Sequence, residues 1–465
     1  MTDTSLSIQF LGAAGTVTGS KHLLITPEGD YLVDCGLFQG LKSLRLKNWE
    51  PLPLDISRLK GVFLTHAHLD HCGYLPLLYK SGFRGNIYCS APTRDLSEII
   101  LRDSAKIQEE DAAIANRKGF SKHTPALPLY TEELVEKTLP LIKVVDADSP
   151  LEISSELKVT WYPNGHILGS CFLVVEAYGT RILFSGDLGR PVSPLLPAPT
   201  AIKPVDYLVM ESTYGDRLHP VNEVSFQLGE AINNTLRKKG NILIPSFAVG
   251  RAQELMHLVN ELKKNNRIPD VPVYLDTPMG ANATEIFRRY PSWHKLTPQQ
   301  CESIFKDVEI VSKFEDTLDV IDRPGSKIVI AASGMLAGGR VLYYLEKYLE
   351  SKRNTILLTG YQSEGTRGRA LLQGVPELKM HGSYYAVNAQ VEALSALSGH
   401  ADQHEMMEWI SQIPEPPKKI FLVHGENSAR EAFRVKIESE LRWNVQLPQQ
   451  QEIVQLSEPG NQPKL

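Results

Sequence analysis

The chain has 465 residues, which is more than one hydrophobic core normally fills, so we expect two domains. Its residues are 42% hydrophobic and 22% charged with a formal net charge of −5, and no apolar run approaches the ~20 residues that cross a bilayer. The five cysteines are scattered and never form a C-x-x-C pair, and the first residues lack the basic and apolar segments of a signal peptide. We therefore expect a cytoplasmic protein without a disulfide framework, a thiolate zinc site or a membrane partner.

The first predicted elements are short strands separated by glycine turns. Apolar runs at residues 7–11, 21–25 and 31–33 each have the length of a strand. Asp34 follows the third run, where a carboxylate is costly to bury unless another group pairs with it. We interpret Asp34 as a residue that orients a metal-binding histidine, and an ordinary turn aspartate before Gly36 is the alternative.

A turn rich in histidine follows the next predicted strand. The strand is the apolar run at residues 61–64, and the turn that follows it reads Thr-His-Ala-His-Leu-Asp-His. Side chains two residues apart on an extended turn point the same way, so His66 and His68 are placed to bind one ion. Asp70 and His71 face a second position as the next helix begins. The spacing therefore predicts two metal positions, and a solvated polar turn is the alternative.

The chain continues with a strand, a long helix and three more strands. A helical pattern with a solvated charged face covers residues 91–119. Strand-like apolar runs follow at residues 157–162, 171–177 and 181–185. His166 lies on a glycine-flanked loop between the first two of these runs, where it is placed to complete a site. Asp187 follows the third run, and its carboxylate is placed to bridge two metals.

The order of these polar residues resembles the motifs of the metallo-β-lactamase superfamily. Those motifs are a strand-end aspartate (here Asp34), an H-x-H-x-D-H turn, a loop histidine and a second strand-end aspartate. The family has an αββα sandwich with a dinuclear metal site at one edge. The resemblance implies that one metal is held by His66, His68, His166 and Asp187. It implies that the other metal is held by Asp70, His71, Asp187 and a further histidine.

Beyond residue 204, strand and helix patterns alternate, which predicts a doubly wound α/β domain with a parallel sheet. Turns rich in glycine and serine follow several of these strands, at the carboxyl ends where such sheets bind ligands. Their backbone N–H groups suit phosphates, although each turn alone is a weak signal. The residues that we hypothesise to contact phosphate or RNA are Ser246, Arg251, Ser333, Gly334, Arg340, Arg367 and Arg369.

Three further polar residues stand at strand ends or in short turns of the second half. Glu211 follows the apolar run at residues 205–210, His424 follows the run at residues 420–423, and His400 lies in the turn Leu-Ser-Gly-His-Ala-Asp. These stretches resemble the motifs of the β-CASP branch of the same superfamily, whose members are nucleic-acid-processing nucleases. The resemblance covers nearly the whole chain, and a histidine in the last motif is typical of the RNA-directed members.

The resemblance to the β-CASP branch implies a domain order and a site. The domains are then expected at residues 1–204 and 381–465 (metallo-β-lactamase, in two parts) and 205–380 (the inserted β-CASP domain). His424 is implied as the further metal-binding histidine. Asp70, Glu211 and His400 are implied as catalytic residues, with His400 as the general acid and Glu211 holding it in orientation.

We therefore expect a ribonuclease with two zinc ions, manganese being the alternative metal, that leaves 5′-phosphate and 3′-hydroxyl products. RNA is the expected partner; internal cutting is expected, while 5′-exonuclease action and formation of a homodimer are left open. Two other functions compete with this one. A small-molecule metallo-hydrolase of glyoxalase or lactonase type has no need of the long insert, and a non-catalytic RNA-binding scaffold has no need of every ligand position.

Overall fold

The structure is a computed structural model that describes residues 6–119, 121–220, 224–394 and 397–456. The chain divides into two compact units. The first unit comprises Met1–Gln39, Ser43–Leu218 and His400–Leu465, and the second comprises Gly40–Lys42 and His219–Gly399. The second unit is thus an insertion in the chain of the first.

Strands and helices are numbered along the chain. The strands are β1 (Ser7–Phe10), β2 (His22–Thr26), β3 (Gly29–Val33), β4 (Leu59–Phe63), β5 (Asn86–Ser90), β6 (Ile142–Val145), β7 (Pro150–Ser154), β8 (Leu157–Pro163), β9 (Cys171–Ala177), β10 (Thr180–Phe184), β11 (Tyr207–Glu211), β12 (Ile242–Pro245), β13 (Val273–Asp276), β14 (Glu309–Ile310), β15 (Ile328–Ala331), β16 (Thr355–Thr359), β17 (Glu377–Met380), β18 (Ser383–Ala386), β19 (Gln390–Leu394), β20 (Lys419–Val423), β21 (Val445–Gln446) and β22 (Ile453–Gln455). The helices are α1 (Lys42–Leu46), α2 (Leu69–Cys72), α3 (Leu75–Lys80), α4 (Ala91–Lys118), α5 (Glu132–Thr138), α6 (Val224–Arg237), α7 (Arg251–Lys264), α8 (Pro278–Arg289), α9 (Pro298–Lys306), α10 (Phe314–Asp322), α11 (Val341–Tyr348), α12 (Arg367–Leu372), α13 (Gln403–Ile410) and α14 (Asn427–Glu440).

The first unit contains two mixed sheets. Within the described residues, sheet 1 has the order β22-β1-β2-β3-β4-β5-β6 and sheet 2 has the order β21-β20-β11-β10-β9-β8-β7. Strands β3 to β6 run parallel in sheet 1, as do β10, β11, β20 and β21 in sheet 2. The carboxyl ends of parallel neighbours meet at one edge of a sheet, so each sheet gathers the loops that follow these strands.

The two sheets pack face to face through aromatic side chains. Phe63 of β4 lies edge-on against Trp161 of β8 at 5.9 Å between ring centroids, and the Trp161 indole donates to the Leu64 carbonyl at 2.9 Å. Phe10 of β1 contacts Phe421 of β20 at 5.3 Å. Helices α3, α4 and α5 cover sheet 1, and α13 and α14 cover sheet 2, each with a buried apolar cluster. The predicted αββα sandwich is confirmed.

The second unit contains a parallel sheet with the order β14-β13-β15-β12-β16-β19, and all of its described pairs are parallel. A hairpin of β17 and β18 follows α12. Val329 and Leu358 of this sheet share a buried cluster with Leu345 of α11 and Leu371 of α12. The predicted α/β character of the insert with a parallel sheet is confirmed.

Two details differ from the sequence-based expectations. The run at residues 205–210 was assigned to the insert, but β11 pairs with β10 and β20 in sheet 2 of the sandwich. The predicted boundary at residue 380 falls before β19, which pairs with β16 in the sheet of the second unit. Near the histidine turn, α2 ends at Cys72 and α3 begins at Leu75. Pro76 has no N–H to donate within a continuing helix, so it favours this new start.

Candidate metal centre and catalytic site

The histidine turn begins where β4 ends, and the Asp34 carboxylate accepts hydrogen bonds from two residues of this turn. Asp34 follows β3 with a positive φ of 60°, and its carboxylate accepts from the Thr65 N–H and the Thr65 hydroxyl, each at 2.8 Å. The same carboxylate accepts from Nδ1 of His71 at 2.8 Å. Asp34 is therefore a buried acceptor that orients a histidine, which is the geometry expected from its place at a strand end.

A first cluster joins the turn to sheet 2. Nδ1 of His68 lies 3.1 Å from Nε2 of His66 and 3.2 Å from Nε2 of His166. Oδ2 of Asp187 lies 3.4 Å from the His66 nitrogen and 3.5 Å from the His166 nitrogen. These four ligand atoms lie within 4.8 Å of one another. All four residues were predicted to bind the same metal.

A second cluster lies on the other oxygen of Asp187. Nε2 of His71 is 3.2 Å from Oδ1 of Asp187, and Nδ1 of His424 is 3.4 Å from the same oxygen. Nε2 of His424 is 3.4 Å from Oδ2 of Asp70. Asp70, His71 and His424 again bring ligand atoms within 4.8 Å of one another. Asp187 thus faces both clusters, one with each carboxylate oxygen.

The residues of the first cluster fit a tetrahedral zinc ion. Zinc ligands lie about 2.0–2.1 Å from the ion, which places neighbouring ligand atoms about 3.4 Å apart. The four distances above range from 3.1 to 3.5 Å. Oδ1 of Asp187, which faces the second cluster, is buried and has no hydrogen-bond donor among the described residues, as expected of an oxygen that binds a cation. The donor set of imidazole and carboxylate without thiolate suits zinc.

Burial keeps the histidines of the first cluster neutral. It lowers the pKa of His66 to about 3 and the pKa of His68 to about 4, and it holds the pKa of His166 well below the usual value. Metal binding requires an unprotonated imidazole nitrogen, so these three side chains are in the state that a ligand needs.

His400 and Glu211 form a pair beside the first cluster. Nδ1 of His400 donates to the Glu211 carboxylate at 3.0 and 3.1 Å, and its Nε2 lies 4.0 Å from Oδ2 of Asp187. Glu211 is fully buried at the end of β11 and also accepts from the Leu188 N–H. Burial opposes a charge on His400, but the Glu211 and Asp187 carboxylates outweigh this effect and raise its pKa to about 9.

The loop that carries His400 is attached to the loop that carries Asp187. The Ala401 N–H donates to the Leu188 carbonyl at 2.8 Å, and Arg190 donates to Glu405 of α13 at 3.0 Å. Asp402 caps α13 in a capping box with Glu405. These contacts fix the distance between His400 and the Asp187 carboxylate.

The predicted phosphate contacts in the second unit mostly have partners within that unit. Ser246 donates to a neighbouring carbonyl at 3.0 Å, and the buried Arg251 donates to Glu254. The Ser333 hydroxyl accepts from a backbone N–H four residues later at 3.3 Å. The Gly334 carbonyl accepts from a side-chain amide of the next loop at 3.1 Å. Their role toward RNA stays a prediction.

Arg340 has three structural partners, one on β13 and two in the segment that follows β14. Its Nη1 donates to Oδ1 of the fully buried Asp276 at 2.9 Å and to the Val311 carbonyl at 3.2 Å. Its Nη2 donates to the Ser312 carbonyl at 2.7 Å, and the Tyr344 hydroxyl donates to the other oxygen of Asp276 at 2.7 Å. Arg340 therefore neutralises a buried carboxylate, a role that the sequence did not indicate.

The two arginines of α12 differ in their bonding. Arg367 donates to the carbonyl oxygens of Lys379 at 2.9 Å and Leu336 at 3.1 Å, so it joins the hairpin to the preceding loop. Arg369 donates to the Gln362 carbonyl at 3.4 Å, which is the weakest contact of the set. Arg369 is half-buried, and it has fewer side-chain hydrogen bonds among the described residues than Arg340 or Arg367.

Sequence reasoning missed two threonines. Thr65 lies between Asp34 and His66, with its hydroxyl 2.8 Å from one and 3.0 Å from the other. Thr213 lies in the same way between Glu211 and His424, at 2.6 and 3.1 Å. The available signal was position alone, since Thr65 precedes the first ligand and Thr213 follows Glu211 by two residues.

Family models match most of the chain. Residues 16–220 match the metallo-β-lactamase superfamily, residues 252–371 match the β-CASP domain, and residues 384–448 match a domain described as the Zn-dependent metallo-hydrolase RNA specificity domain. Ribonuclease TTHA0252 of Thermus thermophilus is 35% identical over 422 residues, which cover 89% of this chain and 92% of that protein. The chain belongs to the β-CASP branch of the metallo-β-lactamase superfamily.

Other relatives of this β-CASP protein come from archaea. The RNase J-like protein of Methanocaldococcus jannaschii is 32% identical, over 92% of this chain and 95% of that protein. Transcription termination factor FttA of Methanosarcina mazei is 32% identical, over 92% of this chain and 68% of that protein. A crystal structure of a protein of unknown function from Enterococcus faecalis matches with a TM-score of 0.54 at 14% identity, over 97% of this chain and 100% of that chain, which shows the shared fold.

No helix in the described part of this β-CASP protein has both the length and the apolar character required to cross a membrane.

Proposed function

We propose that this β-CASP protein is a ribonuclease with two zinc ions that hydrolyses RNA to 5′-phosphate and 3′-hydroxyl products. The observation that carries the proposal is Asp187, a buried carboxylate whose two oxygens face two separate histidine clusters. A dinuclear centre held in this way would be suited to phosphodiester hydrolysis.

RNA is the proposed substrate for two reasons. The matched relatives include proteins named as a ribonuclease and as RNase J-like, and residues 384–448 match a domain described by its RNA specificity. The chain also retains the long insert and every expected ligand residue, so neither the small-molecule hydrolase nor the non-catalytic scaffold accounts for it.

The residues that would hold the two ions are those of the two clusters. They are His66, His68, His166 and Asp187 for one ion, and Asp70, His71, Asp187 and His424 for the other. When bound, such a pair of ions would supply a water that ionises near neutral pH, and the ions would polarise the phosphate oxygens.

His400 supplies the proton that the leaving group needs, and Glu211 orients His400. Nδ1 of His400 is committed to Glu211, so its Nε2 is the atom that carries a proton toward the site. Hydrolysis expels the ribose 3′-oxygen, and the proton from Nε2 keeps this oxygen from leaving as an alkoxide. Glu211 holds the ring in orientation and favours its protonated form through charge.

Cleavage of a uniformly labelled RNA by the purified full chain tests this function. We expect zinc-dependent cleavage that a chelator abolishes and added zinc restores, with 5′-phosphate and 3′-hydroxyl ends on the products. Asp187→Asn should abolish cleavage, because it removes the charge shared by both clusters. Asp316→Asn, an exposed aspartate of α10, is the matched control and should cleave at the wild-type rate.

Two outcomes would contradict the proposal. The first is an intact RNA after incubation with a fully metal-loaded protein. The second is hydrolysis of a thioester or lactone at a rate that far exceeds RNA cleavage, which would make the small-molecule hydrolase the better assignment.

A further inference from the structure

Two buried carboxylates lie behind the clusters, and each binds one threonine and one histidine in the same way. Asp34 accepts from the Thr65 hydroxyl at 2.8 Å and from Nδ1 of His71 at 2.8 Å. The same Thr65 hydroxyl lies 3.0 Å from Nδ1 of His66. Asp34 therefore reaches one cluster histidine directly and another through a threonine.

Glu211 repeats this arrangement on sheet 2. It accepts from the Thr213 hydroxyl at 2.6 Å and from Nδ1 of His400 at 3.0 Å. The Thr213 hydroxyl lies 3.1 Å from Nδ1 of His424. We call each set of carboxylate, threonine and second histidine a relay: Asp34–Thr65–His66 is the first relay, and Glu211–Thr213–His424 is the second.

A threonine hydroxyl has one proton, and its position decides the bonding of each relay. In the second relay the proton lies toward Glu211, because a 2.6 Å contact to a buried carboxylate is a charge-assisted hydrogen bond. The His424 carbonyl is also 3.1 Å from the Thr213 oxygen, but it is the longer and neutral contact. The oxygen lone pair is then left to accept from Nδ1–H of His424.

The first relay follows the same rule. The Thr65 hydroxyl donates to Asp34 at 2.8 Å and accepts from Nδ1–H of His66. A neutral histidine with its proton on Nδ1 has a free lone pair on Nε2. Nε2 is the atom by which His66 faces Asp187 and by which His424 faces Asp70. Nδ1 of His424 also lies 3.4 Å from Oδ1 of Asp187, but the Thr213 oxygen is nearer at 3.1 Å. Both threonines are nearly inaccessible to solvent, so water does not replace them readily.

We propose that Thr65 and Thr213 are positioning residues that fix the Nδ1–H tautomers of His66 and His424 and so present Nε2 to the metal centre. The inference rests on the metal centre of the proposed function but does not depend on RNA as the substrate. Partners of this kind around metal ligands typically contribute 10–100-fold to metal affinity. Thr213 has a second effect, because it orders the carboxylate that holds His400.

Histidine tautomers in the metal-free full chain give a test that does not use activity. With ¹⁵N-labelled histidine, we expect the wild-type His66 and His424 rings to show a protonated Nδ1 and an unprotonated Nε2. Single His66→Gln and His424→Gln variants assign the two signals. Thr213→Val should shift His424 toward the Nε2–H form and leave His66 unchanged, and Thr65→Val should do the reverse.

Zinc affinity, measured by competition with a chelator, gives the second readout. We expect Thr65→Val and Thr213→Val each to weaken apparent Zn²⁺ affinity by about 10–100-fold. Thr65→Ser and Thr213→Ser retain the hydroxyl and should stay within about threefold of the wild type. Thr284→Val is the matched control, because Thr284 is a buried threonine of α8 whose hydroxyl has no hydrogen-bond partner among the described residues.

The wild-type spectrum keeps the proposal falsifiable even if a valine variant does not fold. An Nε2–H tautomer for His66 and His424 in the wild type would overturn the proposal. Valine variants that fold, keep both tautomers and bind zinc as the wild type does would overturn it as well. A protein with the expected tautomers and zinc affinities that leaves RNA intact would contradict the proposed function and support the relays.

Discussion

His400 commits one ring nitrogen to Glu211 and directs the other toward Asp187 at 4.0 Å. The side chain belongs to neither predicted set of ligands, so its loss should spare metal binding. We predict that His400→Ala retains the zinc content of the wild type and lowers the single-turnover rate of RNA cleavage by about 10²–10⁴-fold, the usual contribution of acid–base catalysis. Elemental analysis and rapid-quench kinetics on a labelled RNA measure the two quantities.

His404→Ala is the matched control for this prediction. His404 lies four residues after His400 in the chain, on α13; it is exposed, and its ring pairs with Glu408 at 3.4 Å rather than with the site. The His404→Ala protein should cleave RNA at the wild-type rate. Loss of zinc from a folded His400→Ala protein would instead identify His400 as a ligand.

Lys21 is a fully buried lysine, which makes its charge depend on pH within the folded state. Its Nζ donates to the Gly19 carbonyl at 3.2 Å and lies 4.4 and 5.1 Å from the ring centroids of Phe38 and Tyr74. Burial lowers its pKa from 10.5 to about 8. Between these values the unfolded chain binds more protons than the folded one, so the free energy of unfolding rises with pH.

We predict that Lys21→Met removes this rise. Between pH 8 and pH 10.5, the wild type should gain about 3 kcal/mol of unfolding free energy relative to the variant, as follows from the two pKa values. Urea unfolding at several pH values measures the difference. Lys60→Met, which removes an exposed lysine of β4, should run parallel to the wild type. A Lys21→Met curve parallel to the wild type would refute the prediction.

At the scale of elements, Arg340 joins the loop after β15 to β13 and to the residues after β14 through Asp276 and two carbonyls. Loss of one partner of a buried ion pair leaves the other charge uncompensated. We predict that Arg340→Met lowers the free energy of unfolding by about 3–5 kcal/mol. The double variant Asp276→Asn with Arg340→Met should lose clearly less, because no buried charge then remains. Chemical denaturation of the full chain compares the three proteins.

The competing role of Arg340, contact with RNA, has a different signature. A folded Arg340→Met protein of wild-type stability with weaker RNA binding and a lower salt dependence would restore the RNA assignment. Arg369→Gln is the matched comparison, because Arg369 donates one long hydrogen bond at 3.4 Å. Its loss should affect RNA binding more than stability.

Helices and strands whose own residues carry the pattern and the end signals of the element could be predicted from the sequence. The run at residues 86–90 is β5, and α4 ends at Lys118 before Gly119, whose φ of 64° suits glycine. The sequence did not indicate β6 or β7. Strand β7 is only partly buried, and its residues do not form an apolar run. The sheet that holds β11 could not be read from the chain, because a buried strand has the same sequence character in either unit.

Some features of the candidate site could also be predicted from the sequence, and others could not. The clustering of the proposed ligand residues could be predicted because His66, His68, Asp70 and His71 lie within one turn, and the order of the later motifs is typical of the family. The contact that joins Thr213 to His424 could not, because these two residues are 211 positions apart in sequence. The partner of Arg340 is 64 residues away, so its structural role was hidden for the same reason.

At the scale of the whole molecule, the proposed function predicts how RNA topology affects cleavage. The proton donor and the metal-facing side chains act on a phosphodiester, which a circular RNA has at every nucleotide. We predict that the full chain opens circular RNA at a rate comparable to that for a linear RNA of the same sequence, because internal cutting needs no free end. Gel electrophoresis separates circles from linear products. Circles that persist while linear RNA is degraded from its 5′ end would identify a strict 5′-exonuclease.

The order of the motifs along the chain bears on protein synthesis. Apart from Gly40–Lys42, the second unit is encoded between Glu211 and His400, and sheet 2 requires β20 beside β11 before His424 can face Asp70. A nascent chain that the ribosome has extended to residue 399 therefore contains the first cluster but neither the proton donor nor the last histidine. We therefore expect such a chain not to cut RNA, so the messenger being translated is not exposed to cleavage by the nascent chain that it encodes until the final stage of elongation.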